Sequence, residues 1–135
     1  MANALYSKAK ESFLSGALNL TSLNLKVVAV DAADYTVNLA THQYLSDIAA
    51  GGRVATSGNL ASKTVTLGVF DAADIEFAGF TGDQFEALVI YNDTTVAATS
   101  NLIAYIDTAT GLPFTPSGGP VIIRWDDGVS KIFAI

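Results

Sequence analysis

Phe85 to Tyr91 reads FEALVIY and Leu102 to Asp107 reads LIAYID. Each is a short, nearly continuous apolar run bounded by Asn or Asp, too short to establish a helical face, so both read as buried central strands. Thr94 to Asn101 between them is small and polar, which makes the pair an antiparallel hairpin with a long tip. These two runs form the interior against which the other segments must pack.

Further strands are expected on both sides of this hairpin. Leu23 to Asp31 (LNLKVVAVD) is rich in β-branched residues and ends in the turn tetrapeptide Asp31-Ala-Ala-Asp34. Arg53 to Thr56 is a short strand, and Ser57 to Ser62 is a polar loop. Lys63 to Val69 (KTVTLGV) alternates Val65, Leu67 and Val69 against Thr64, Thr66 and Gly68, the period of a half-buried strand. Ile75 to Phe80 and Val121 to Trp125 add two more, Asp126-Asp127-Gly128 signals a hairpin turn, and Lys131 to Ile135 closes the sheet. The tetrapeptide Asp-Ala-Ala-Asp recurs at Asp71 to Asp74, but its flanks do not match, which favours local turn chemistry over duplication.

Two helices are expected. Ala4 to Ser15 repeats Leu5, Ala9 and Phe13 every fourth residue, with Asn3 placed to cap it and Gly16 to end it. Such a helix either covers its own sheet or docks as an arm on a neighbouring subunit. Thr41 to Ile48 carries Tyr44, Leu45 and Ile48 at helical spacing and is stopped by Gly51-Gly52. Thr108 to Pro120 holds all three prolines and cannot continue a ladder; a loop of this length suggests binding or assembly. The expected fold is therefore a single domain over 1–135, mainly β, an antiparallel β sandwich or barrel with a short N-terminal helix and one further short helix. Residues 1–20 form a helical arm and 21–135 the β domain.

Composition narrows function. Half of the 135 residues are hydrophobic and only 15% are charged, with mean hydropathy +0.39. So few charges cover the outside of a small domain poorly, and leave apolar surface for contact with other subunits. Seven Lys and Arg against 13 Asp and Glu give a net charge of −6, and the cations are scattered, so neither nucleic acid nor an anionic membrane is an expected partner. Without cysteine there is no disulfide, thiolate metal site or Cys nucleophile. Lys8, Lys10 and Glu11 interrupt the apolar stretch that a signal peptide needs, and no run approaches the roughly 20 residues that span a bilayer.

Chemistry is sparse. The single histidine, His42, lies in a polar segment with no G-x-S-x-G elbow in the chain, so no catalytic residue is assigned. The pairs Asp31 with Asp34, Asp71 with Asp74, and Asp126 with Asp127 supply oxygen ligands of the kind calcium takes, yet none lies in a calcium-loop pattern and each reads as a turn former. No metal and no cofactor is expected. Trp125, Tyr105 and Phe114 are the aromatics that a sugar-stacking platform would use.

Several segments resemble small virion proteins of tailed bacteriophages: the opening ALYSKAKESFLSGALNLTSLNLKVVAVD, the middle YTVNLATHQYLSDI, and ALVIYNDT with LIAYIDT followed by VIIRWDDG. The resemblance covers most of the chain and implies a non-enzymatic structural protein, made in the host bacterial cytoplasm and located in the virion. The first expectation is a capsid decoration or cement protein that binds the major capsid protein or other virion proteins as a homo-oligomer, a trimer in preference. The alternatives are a tail, fibre-associated or head-to-tail joining protein, and a carbohydrate-binding β module on the virion surface. Contact is expected through Leu5 and Tyr6 at the start of the helix and through Pro113, Phe114 and Pro116 in the long loop.

Overall fold

In the computed structural model, which describes residues 3–135, the strands are β1 (Ala4–Leu5), β2 (Leu25–Val30), β3 (Arg53–Thr56), β4 (Thr64–Thr66), β5 (Val69–Asp71), β6 (Ile75–Phe77), β7 (Ala87–Asn92), β8 (Leu102–Ile106), β9 (Val121–Ile123) and β10 (Phe133–Ala134). The expected hairpin is present as β7 and β8, with Val89 opposite Tyr105 and Leu88 opposite Ile106. It forms the middle of a five-stranded sheet ordered β1-β8-β7-β2-β3, and every pairing in it is antiparallel. Three-stranded β10-β5-β4 and two-stranded β6-β9 complete a mainly β, sandwich-like fold.

All six residues of β7 are buried because both faces of the central sheet are covered. Leu25, Val27, Ala29, Leu88 and Ile90 face one apolar cluster, roofed by Leu60, Phe70, Phe77 and Phe85. Val28, Val30, Ala87, Val89 and Tyr91 face a second, closed by Tyr6, Ala9, Tyr35, Leu45 and Ile48. A strand buried on both faces loses the polar half of its alternation, which is why these runs read as continuously apolar. Burial of such side chains contributes about 1.5 to 3 kcal/mol each. A bulge at Ile103 of β8 shifts the register by one residue, so that Ile90 pairs with Ala104 while Tyr91 pairs with Leu102.

Four local expectations are corrected. The first helix, α1, runs only over Ser7–Leu14, because Ala4 and Leu5 pair with Tyr105 and Ala104 as an edge strand. Asn3 does not cap it; its Oδ1 accepts the Asp107 and Thr108 backbone N–H groups at 2.9 Å, pinning the segment to the end of β8. The second helix is reduced to 3-10 turns at Leu45–Asp47 and Ala50–Gly52. Tyr44 is extended and bridges to Asn101, while Asp47 Oδ2 accepts the Gln43 and Tyr44 N–H groups, so one tight turn suffices to bury both Leu45 and Ile48.

The other two corrections concern strand pairing. KTVTLGV is a hairpin instead of one strand: Leu67 and Gly68 take φ of 52° and 78° and turn β4 back onto β5. Asp126-Asp127-Gly128 does not pair β9 with β10, since β9 pairs with β6 and β10 with β5. Trp125 anchors the end of β9 elsewhere, its N–H to Asp74 Oδ1 at 2.9 Å and its Nε1–H to the Ala73 carbonyl at 3.1 Å. Among the described residues, no helix is long and apolar enough to cross a membrane.

Candidate contact surface

The apolar excess in the composition comes to the surface mainly at one end of the molecule. Leu67 is 98% exposed, Val129 94%, Ile135 73% and Val65 53%. Leu67 and Val129 rim a shallow depression on the outer side of β4 and β5, together with Thr64, Thr66, Asp71 and Lys131. Ile135 is held beside them by its N–H bond to the Gly68 carbonyl at 2.8 Å. Phe13 of α1 stacks on Phe133 of β10 at 6.4 Å, and the next residue, Leu14, is 90% exposed.

Leu67 is unusual in a second respect. A left-handed backbone at a leucine is disfavoured by contact of its Cβ with the carbonyl, by about 1–2 kcal/mol, and two-residue turns of this kind normally use Asn-Gly or Gly-Gly. The side chain gains no burial in return. The alternating pattern concealed this turn because Leu67 and Gly68 fall in phase with Val65 and Val69; Gly68 was the available signal.

The contact residues expected from sequence are separated by the fold. Leu5 is half-buried in β1 and Tyr6 is fully buried, so the exposure expected of the chain start does not extend to Tyr6. The helix packs on its own sheet, through the buried Ala9. In the long loop Pro113 is exposed, Phe114 half-buried and Pro116 buried. Phe114 and Phe85 exchange backbone hydrogen bonds of 2.9 and 3.0 Å and their rings lie 5.6 Å apart, while the Gly118 N–H reaches the Phe80 carbonyl. This loop is therefore joined to the segment before β7, leaving a cavity of about 310 Å³ between Leu88, Leu112, Phe114 and Val121. Tyr105, Phe114 and Trp125 do not converge into one stacking platform: Tyr105 faces the α1 side of the central sheet and Phe114 the other.

His42 belongs to a hydrogen-bonded row. Its Nδ1 lies 2.8 Å from the Tyr35 hydroxyl and accepts the Asn38 N–H, and Tyr35 meets the Tyr6 hydroxyl at 3.0 Å. Burial pushes the Tyr6 phenol far above its ordinary value and, with a smaller opposing contribution from the Tyr6 bond, raises that of Tyr35 to about 12. Both are thus held neutral as packing groups with satisfied hydroxyls.

Carboxylates act mainly on nearby backbone. Asp31 Oδ1 accepts the Ala33 N–H at 2.8 Å, the expected turn role. The fold also brings Asp83 to Asp31 and Asp34, one oxygen of each within 4.8 Å of the others, a grouping that sequence spacing does not show. Asp71, by contrast, borders the apolar depression and Asp126 lies in the loop after β9. Lys26 and Asp93 form an ion pair at 2.8 Å, whose hydrogen bond raises the lysine and lowers the carboxyl.

No protein-family model matches this chain, and no curated protein matches it.

Proposed function

We propose that this chain is a virion structural protein of a tailed bacteriophage, a capsid decoration or cement protein that acts by binding and carries out no chemistry. The observation that supports this reading most is the concentration of Val65, Leu67, Val129 and Ile135 at one exposed end of the fold. A side chain such as Leu67, exposed and in an unfavourable backbone region, adds nothing to the isolated chain and is useful only when something covers it. The segment resemblance to phage virion proteins supplies the setting, with the major capsid protein or other virion proteins as partners and the virion as location.

The mechanism is mass action. A protein that binds the assembled, expanded head but not its separated subunits stabilises the head by the free energy of that binding, multiplied over many sites. Low charge suits this task, because few ions need be stripped of water at the contact, and the net charge of −6 favours solubility of the free protein.

The test is binding of purified protein to expanded heads lacking it, with labelling of virions by antibody in the electron microscope. Shell-wide labelling and saturable binding in hundreds of copies are expected. Labelling confined to the tail or the head-to-tail junction overturns the decoration role, and absence from virions overturns the structural reading altogether.

A further inference from the structure

The exposed end contains an uncharged sheet edge, three residues long. β4 is the outer strand of β10-β5-β4. Phe70 turns its carbonyl toward the β10 side, where it accepts the Ile132 N–H, so the pair Val65–Phe70 is one that exchanges no hydrogen bonds. The N–H and C=O of Val65 therefore point away from β5, outward from the edge. Proteins usually protect such an edge with lysine, proline or a bulge. Here Thr64, Val65 and Thr66 are uncharged and all exposed, and the adjacent Lys63 is turned inward, its Nζ donating to the Leu23 carbonyl.

We propose that two copies of this chain join through β4 across a two-fold axis at Val65, extending each three-stranded sheet into one of six strands. Two features favour a second copy as the occupant. An antiparallel pairing centred on Val65 is self-complementary: its N–H and C=O meet those of the other Val65, and Thr64 faces Thr66, with no like charges opposed. The strand carries no charge and Lys63 at its start is turned inward, so the two edges approach without the repulsion that a net charge of −6 imposes elsewhere.

This pairing does not rest on the virion reading, and it replaces the trimer expected from the resemblance by a dimer. Light scattering after size exclusion, over a concentration series, is expected to give twice the 14.0 kDa chain mass. Val65→Glu, which sets two carboxylates opposite one another across the axis, is expected to weaken the dimer at least about tenfold with an unchanged circular dichroism spectrum. Val65→Cys adds the only thiol in the chain, and facing strands place the two Cα atoms about 5.5 Å apart, within disulfide reach. Oxidation should then yield a covalent dimer, while Thr64→Cys, two residues out of register with its own copy, should not.

A monomer or a trimer throughout the series overturns the proposal. So does a dimer that Val65→Glu leaves intact, or one in which Thr64→Cys crosslinks as readily as Val65→Cys. A dimer of the expected kind that ignores phage heads keeps the pairing and removes the decoration role; head binding by a monomer does the reverse.

Discussion

The Tyr6 hydroxyl sits 3.0 Å from that of Tyr35, between a chain start that pairs with β8 and a loop that follows β2. Tyr6 has no exposed surface, and its bond to Tyr35 ties the first residues to the second core cluster. Tyr35→Phe leaves the Tyr6 hydroxyl buried without that partner and is expected to cost about 1–3 kcal/mol. Tyr6→Phe leaves Tyr35 still bonded to His42 and is expected to cost less, about 0.5–1.5 kcal/mol. Urea denaturation of the two variants checks the order; equal losses would contradict it.

Leu67 is expected to be a locally poor residue. Leu67→Asn or Leu67→Gly, both suited to its φ of 52°, should stabilise the isolated subunit by up to about 1 kcal/mol. Thermal unfolding at a concentration low enough to dissociate any oligomer measures this, and a destabilised Leu67→Gly would show that the leucine contributes to the fold of the single subunit.

Stability should fall at both extremes of pH. The Lys26 hydrogen bond holds Asp93 below its ordinary 3.8, so its contribution is present above that value and is lost as pH falls through the lowered one. Asp47 behaves alike: burial raises its carboxyl, but the Tyr44 and Gln43 N–H groups, with the nearby His42, outweigh burial and lower it. On the alkaline side Tyr6 and Tyr35 are raised above the ordinary 10.0, so their contribution is present below pH 10 and is lost as tyrosines of the unfolded chain ionise above it. Unfolding free energies measured against pH, with Asp93→Asn flattening the acid limb, provide the check.

Gly79 marks where the proline-containing loop meets the segment after β6. A Cβ there would lie 2.5 Å from the Gly118 carbonyl oxygen, a backbone atom with little room to retreat. Gly79→Ala is expected to cost about 1–3 kcal/mol, whereas Gly58→Ala, with nothing within 4 Å, should be nearly neutral. Comparable denaturation midpoints for the two would contradict this packing.

By itself the sequence determined the central β layer. FEALVIY, LIAYID and LKVVAV are apolar runs between turn residues, and burial on two faces explains both their composition and their legibility. The cation scatter, the lack of cysteine and the low charge were equally plain. Only the tertiary structure decided which strands are neighbours, because pairing depends on distant partners: Ala4 and Leu5 became a strand through β8, and the Asp126 to Gly128 turn joined no hairpin once Trp125 was bonded to Ala73 and Asp74. It also separated Tyr6 and Pro116, both buried, from Leu67, which emerged at the surface although its alternation pointed inward. A period of two records which residues share a face of a strand; it cannot record where the strand turns, or whether anything lies against that face.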